Sequence, residues 1–516
     1  MLPTPCYGPH SPSIHILDDD SLLNIFSFYR PSLLDEDVID DSLILQGGKW
    51  DREHWWYKLA HVCRRWRYLI LGSPSHLGVG LLCTHGTPVA DILAQSPPLP
   101  LIIDHLHPDY NVSAGEVKGI MLALQHHHRV RRIRLLMRAP WLQMLIMAMG
   151  EEFPILEFLY ISSPANRNTS LTLPETFQAP RLRQLILADL AFPIGSPLLT
   201  TTVGLVTLSL PQIHPSAYFH PNELLQRLTL MPQLETLEIG FHSHFPTHGI
   251  ERQLLEALGI EHGFPPPTPT PDVEMQSLST QIMAHVTLPN LRWFAFGGAS
   301  AYLEALLPQL STPLLKKLQI MCVEPLTFAA PLLQFMNTCD NVKFGSARLT
   351  FHQEGASVRV YPHERARMYA FNLEIRGRYI KRQISSMAQI LNALRTVLSA
   401  VEYLTLDYDW GSIPRAWPPE ADRSQWRELL RPFGNVKMLL VCVDLVAQLS
   451  ASLQPDHGES PMELLPNLKE LKSFGNYIVG DAFTQFINAR QNAGHPVTTR
   501  QVVYILPLVT GAAHSE

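Results

Sequence analysis

From Val130 onward, apolar residues recur at positions i, i+3 and i+5 with polar residues between them, a spacing that predicts short strands. The starts fall at Val130, Leu156, Leu182, Leu205, Leu234, Leu291, Leu315, Ser346, Ala370, Val401, Val436 and Leu468. With 46% hydrophobic residues, chance alone gives about one match in ten positions, so the weight rests on spacing and context. Successive gaps are 26, 26, 23, 29, 57, 24, 31, 24, 31, 35 and 32 residues. The gap of 57 reads as two repeats, or as one repeat plus an insertion. Six starts have Pro two residues ahead: Pro154, Pro180, Pro232, Pro289, Pro313 and Pro466. Pro ends a preceding helix and biases the chain to extended geometry. Helix-like stretches lie between the starts, as in Glu223–Leu228, Tyr302–Leu307 and Met387–Leu394. Each unit is therefore expected to run strand, loop, helix.

Stacked units of this kind predict an α/β fold, an irregular leucine-rich-repeat-like solenoid over residues 111–507 with parallel strands inside and helices outside. A conventional α/β sheet is the alternative. Leucine-rich repeats carry Asn or Cys three positions after the last Leu. Here those positions hold Pro164, Leu190, Ile213, His242 and Ala299, so the solenoid is expected to be irregular. Residues 241–285 interrupt the pattern, and Gly263–Pro271 is too Pro-rich for helix or sheet. The ends, 1–13 and 508–516, read as loose tails.

The N-terminal pattern is different. Ile16–Phe26 reads as a helix start, with Asp18, Asp19 and Asp20 at the positive end of its dipole and Pro31 beyond it. In Trp55–Ile70, Leu59, Val62, Trp66 and Leu69 fall on one helical face at i, i+3, i+7 and i+10. Residues 14–48 carry eight acids and one Arg, and residues 49–67 carry six bases and two acids. Short helices in ~55 residues do not build a self-sufficient core. Their apolar surface is expected to meet a partner, or else to pack on the following domain.

Composition narrows the function classes. The 516 residues include 79 Leu, and Pro (43) exceeds Gly (28). A net charge of -6 gives no global basic field, so neither nucleic acid nor membrane is expected as a partner. Six scattered Cys without a C-x-x-C pair form neither a disulfide framework nor a structural zinc site. With no secretory signal and no long apolar span, a cytoplasmic or nuclear location is expected. No cofactor or metal is expected. His126–His128, and His242, His244 and His248, lack acidic or Cys partners and read as solvated surface. Arg129, Arg131, Arg132 and Arg134 read as a solvated strand face. P-loop, nucleophile-elbow, zincin and kinase signatures are missing, so no catalytic residue is assigned.

The segments Leu17-x-x-x-x-Leu22-Leu23-x-Ile25-Phe26 and Leu59-x-x-Val62-Cys63-Arg64-Arg65-Trp66 together resemble the F-box, over residues 14–75. The continuation through Ser73–Leu77 and Val89–Leu101, a linker over 76–110, is similar to the F-box-like proteins of mushroom-forming fungi, which pair an F-box with irregular leucine-rich repeats. The resemblance implies a three-helix module that docks on a Skp-type adaptor and, through it, a cullin. It places Leu17, Leu22, Leu23, Ile25, Phe26, Leu59, Val62, Cys63 and Trp66 at or beneath that interface, with Trp66 read either as contact or as core. Two departures stand out: Asp18 where the family has Pro, and a longer loop from Pro31 to Trp55.

In a repeat strand, i+2 and i+4 face away from the core. Phe158, Tyr160, Trp293, Lys317, Gln319, Tyr403 and Thr405 are thus candidates for binding a protein on a concave face. The function expected is a non-catalytic, substrate-recognition subunit of an SCF-type ubiquitin ligase. The alternatives are a repeat scaffold with a degenerate F-box and, more remotely, a hydrolase or transferase.

Overall fold

The computed structural model describes residues 16–29, 55–106, 112–163, 171–241, 285–323, 328–339, 342–352, 355–366, 368–376, 380–409, 423–454, 463–475 and 482–502. The tails, the 264–271 proline run and His242, His244 and His248 lie outside them. The chain divides into two compact units between Leu205 and Val206.

The first unit begins with short helices, Asp19–Phe28, Trp55–Ala60, Arg64–Gly72 and Pro74–Leu77. Five strands follow: β1 (Leu81–Thr84), β2 (Leu101–Leu106), β3 (Val130–Leu136), β4 (Phe158–Ser162) and β5 (Gln184–Ala188). They pair in sequence order and in parallel. Residues 76–110, expected as linker, thus supply two strands to the sheet. Helices Val89–Gln95, Ala114–Gln125 and Ala139–Met147 alternate with these strands and pack in series.

The second unit holds β6 (Thr207–Ile213), β7 (Thr236–Phe241), β8 (Val286–Thr287), β9 (Trp293–Ala299), β10 (Leu310–Ser311), β11 (Lys317–Val323), β12 (Ser346–His352), β13 (Gly355–Tyr361), β14 (Phe371–Arg376), β15 (Tyr403–Asp409), β16 (Met438–Cys442), β17 (Glu470–Phe474) and β18 (Thr498–Val502). Its main sheet runs β6-β7-β9-β11-β14-β13-β12-β15-β16-β17-β18, and β8 pairs only with β10. Because β7 pairs directly with β9, the 57-residue gap holds one repeat step and an insertion, not two repeats. The expected parallel succession fails at one place. Strands β12, β13 and β14 form an antiparallel meander, entered in reverse, so that β14 lies beside β11 and β12 beside β15.

All twelve predicted starts lead into strands. The i+3 residues, from Ile133 and Leu159 to Leu439 and Leu471, are at most 2% exposed. That face packs on the helices: Phe294 meets Phe335 of helix Ala329–Asn337, and Phe351 meets Trp426 of helix Arg423–Leu430. The prolines have a sharper role than helix breaking. In ten units the N–H of the start residue donates to the carbonyl of residue i-3, as in Leu156 to Phe153, Leu234 to Met231 and Leu468 to Leu465. Pro at i-2 is the second residue of that turn, where its fixed φ is already correct. The i-3 residue is itself buried, as at Phe153, Met231, Thr312 and Phe433.

Candidate functional site

Two regions carry the predicted site residues. In the N-terminal helices, Asp18 acts as a helix cap. Its carboxylate accepts the Ser21 N–H at 2.6 Å and the Ser21 hydroxyl at 3.1 Å, capping helix Asp19–Phe28. The backbone hydrogen bond from Ser21 holds the Asp18 carboxyl below its ordinary value. Arg65 ties this start to helix Arg64–Gly72, donating to Asp19 at 2.6 Å and to the Leu17 carbonyl at 2.7 Å.

Leu22 and Phe26 are fully buried, and Phe26 meets the Trp66 ring edge-on at 4.7 Å. These residues form the base of the module. Leu17, Leu23, Ile25, Leu59, Cys63 and Trp66 are half-buried, and Val62 is 59% exposed. The single helical face expected for Leu59, Val62, Trp66 and Leu69 does not exist. The chain turns at His61–Cys63, and helix Arg64–Gly72 starts afresh from an extended Cys63. Trp56, Ala60 and Ile70 provide the buried side instead. Phe28 and Tyr68, absent from the sequence candidates, are 86% and 65% exposed.

On the sheet of the first unit, the predicted open face is closed. Tyr160 is buried with Leu136 and Ile186, and Phe158 packs against that cluster. The arginines are likewise not a solvated face. Arg129 donates to the Leu99 carbonyl at 3.0 Å, Arg131 pairs with Glu157 at 2.9 Å and Arg132 covers the Phe158 ring at 4.4 Å. Arg134, 4% exposed, pairs with Asp104 at 2.9 Å. The parallel register sets Arg132 opposite Phe158 and Arg134 opposite Asp104, whereas Arg129 reaches the Leu99 carbonyl from the turn before β3. His127, expected as solvated, holds the Glu152 carbonyl through Nδ1 at 2.7 Å.

The second unit does assemble predicted residues. Register places Lys317 opposite Trp293, and both are half-buried. The Lys317 ammonium lies 4.6 Å from the Trp293 ring centre and 4.5 Å from that of Tyr369. Tyr369 donates its hydroxyl to Gln319 Oε1 at 2.6 Å, which fixes the second ring. Burial lowers the Lys317 pKa, and Glu238 opposes that shift. Glu238 itself accepts from the Ser209 hydroxyl at 2.5 Å. Tyr403 and Thr405 sit four strand positions along the sheet from β11, half-buried, with Tyr403 opposite Ser346 and Met438.

Sequence reasoning missed Tyr369, Asn372 and Arg359 here. Tyr369 immediately precedes the weak start Ala370, Asn372 is that unit's i+2 position, and Arg359 lies on β13, whose period of two does not fit the repeat spacing. A lysine held between two aromatic rings offers charge and apolar surface together, which suits recognition of a polypeptide. Among the described residues no cluster of His, Cys, Asp and Glu has the form of a metal site, and no helix is long and apolar enough to cross a membrane. No protein-family model matches the chain, and no curated protein matches it.

Proposed function

We propose that the chain is a non-catalytic substrate receptor of an SCF-type ubiquitin ligase. In this reading the N-terminal helices are an F-box that docks on a Skp-type adaptor, and the strand-rich remainder, an irregular leucine-rich-repeat solenoid, holds a target protein. The receptor acts by raising the target's effective concentration beside the ubiquitin-charged enzyme. The observation that carries the reading is the exposure of large apolar side chains on short helices: Phe28 at 86%, Tyr68 at 65%, Tyr29 at 63% and Val62 at 59%. Water is a poor neighbour for so much apolar surface, and a protein partner removes it.

A repeat scaffold with a degenerate F-box is the second reading. It is favoured by Asp18, which stands where the F-box resemblance has Pro and caps the helix through its side chain. Co-purification of the full chain with a Skp-type adaptor separates the two. The receptor reading expects the wild type to bind and Phe28→Asp combined with Val62→Asp to release the adaptor without changing the melting temperature. A wild-type chain that does not bind the adaptor overturns the receptor reading.

A further inference from the structure

The band around Lys317 has a charge pattern unlike that of the whole chain. The chain's net charge is -6. On the open face of β11, β14, β13 and β12, however, the charged residues are Lys317, Glu374, Arg376, Arg359 and Arg348, four cations against one acid. Glu374 takes Arg376 at 3.4 Å, and Arg348 lies 3.9 Å from Asp407 on β15. Lys317 and Arg359 have no ion-pair partner among the described residues. Arg359 moreover stands directly opposite Arg348 in the β12–β13 register, an arrangement of like charges that costs stability. Between the two unpaired cations sits Asn372, 5% exposed, its side-chain oxygen buried without a hydrogen-bond partner.

We propose that this band binds an extended acidic segment of a partner protein, with two of its carboxylates taken by Lys317 and Arg359. The chemistry follows from the groups present. The ammonium of Lys317 has donors to give, and the Trp293 and Tyr369 rings that hold it also cover the peptide's apolar atoms. The Arg359 guanidinium forks onto a carboxylate in bidentate fashion and relieves its repulsion from Arg348. Lys317, half-buried between its two rings, gains more from an anion than a solvated cation does, because water screens it less, and Arg359 is exposed and open to the same ligand. A continuous polyanion fits less well, since Glu238 and Asp407 flank the band with negative charge.

Spacing sharpens the ligand. Lys317 and Arg359 are two strands and two residues apart, which makes about 12 Å between their backbones at ordinary sheet dimensions. An extended peptide covers that distance in three to four residues, so the acids are expected at i and i+3 or i and i+4. The inference rests on the reading that this sheet face holds a target, but its test is independent of adaptor docking.

The experiment pans a random twelve-residue display library on the full chain. The enriched peptide is then synthesised with a fluorophore, and its affinity is measured by anisotropy for the wild type and for Lys317→Glu, Lys317→Ala, Arg359→Glu and Arg395→Glu. Arg395 lies exposed on a helix and serves as the charge-matched control. The expected motif carries two acids three or four residues apart. Affinity falls about tenfold or more in each Lys317 and Arg359 variant, holds in the control, and falls equally when the peptide's Glu residues become Gln. Lys317→Ala keeps the test decisive if charge reversal disturbs folding. An enriched motif without acids, no enrichment at all, or an acidic motif indifferent to Lys317 and Arg359 overturns the inference. So does an oligouridylate that binds as tightly with the same dependence on Lys317. None of these outcomes alters whether the adaptor co-purifies, so failure here and failure of the receptor reading are distinct.

Discussion

The side-chain amide of Asn467 donates to the carbonyl of Gly434 at 3.1 Å and to Oδ1 of Asn435 at 3.0 Å. Asn467 and Asn435 each stand one residue before a strand start. Asn435 donates in turn to the Ser399 carbonyl at 2.7 Å, and Asn290 donates to the Pro232 carbonyl at 3.1 Å. In all three units the carbonyl acceptor is the i-2 residue of the neighbouring unit. Three units thus carry an asparagine in the turn ahead of the strand and not in the turn behind it. Asn435→Ala removes two of these bonds and is expected to cost about 1–3 kcal/mol, measured by denaturant unfolding of the full chain.

Phe26 and Trp66 predict a different kind of loss. Phe26 is wholly buried against Trp66, so Phe26→Ala leaves a cavity and is expected to cost about 3–5 kcal/mol. The N-terminal helices are then expected to exchange their amide hydrogens quickly while the strands β7–β11 stay protected, as read by hydrogen exchange. Under the proposed receptor reading, loss of adaptor binding in that variant reports unfolding of these helices. Phe28→Asp and Val62→Asp report the surface.

His105 makes the first unit sensitive to acid. Its side chain lies among buried residues with Nε2 unpartnered. Burial pushes its pKa from 6.5 down to about 4, against opposing pulls from Glu116 and Asp104, with His85 reinforcing the shift. Between these values the unfolded chain binds a proton that the folded chain refuses. Stability is therefore complete above about pH 6.5 and falls toward pH 4, by about 3 kcal/mol from this group. His105→Leu is expected to flatten the dependence of unfolding free energy on pH across that window, checked by urea titrations at pH 7 and pH 4.5.

Gly240 is fixed by a neighbour's backbone. The register between β6 and β7 shifts between Leu210 and Ile213, a bulge containing Pro211. A Cβ added at Gly240 would overlap the Pro211 carbonyl oxygen, so one of the two strands must move. Gly240→Ala is expected to lower stability by about 1–3 kcal/mol, whereas Gly204→Ala, which meets nothing within 4 Å, serves as the neutral comparison in the same melting experiment.

The repeat was legible wherever burial dictated residue type. Leu159, Leu237, Phe294 and Leu439 all lie at i+3 because that position faces the helices and tolerates only apolar side chains. Strand β13 escaped because Ala356, Val358 and Val360 follow the plain alternation of an antiparallel partner. Strand β2, Leu-Ile-Ile-Asp-His-Leu, escaped because the prolines ahead of it read as linker, although they also precede strands elsewhere. The open face was less legible. Phe158 and Tyr160 occupy the same repeat positions as Trp293 and its neighbours, yet Tyr160 is buried. Position alone says which way a side chain points from the sheet, and what covers it is decided by segments distant in sequence.

The reversed meander from Ser346 to Arg376 has a consequence for how such a chain changes in length. Elsewhere in the main sheet of the second unit the strands follow one another in chain order and in parallel, so excising one strand–helix step leaves two parallel edges that match. Within the meander β12 and β14 both run antiparallel to β13, so losing β13 alone would set them side by side in parallel without the crossover connection that a parallel pair needs. Taking β12, β13 and β14 out as one piece restores β11 beside β15, both parallel. Those three strands behave as a cassette, and gain or loss of sequence in this stretch is tolerated only in whole blocks.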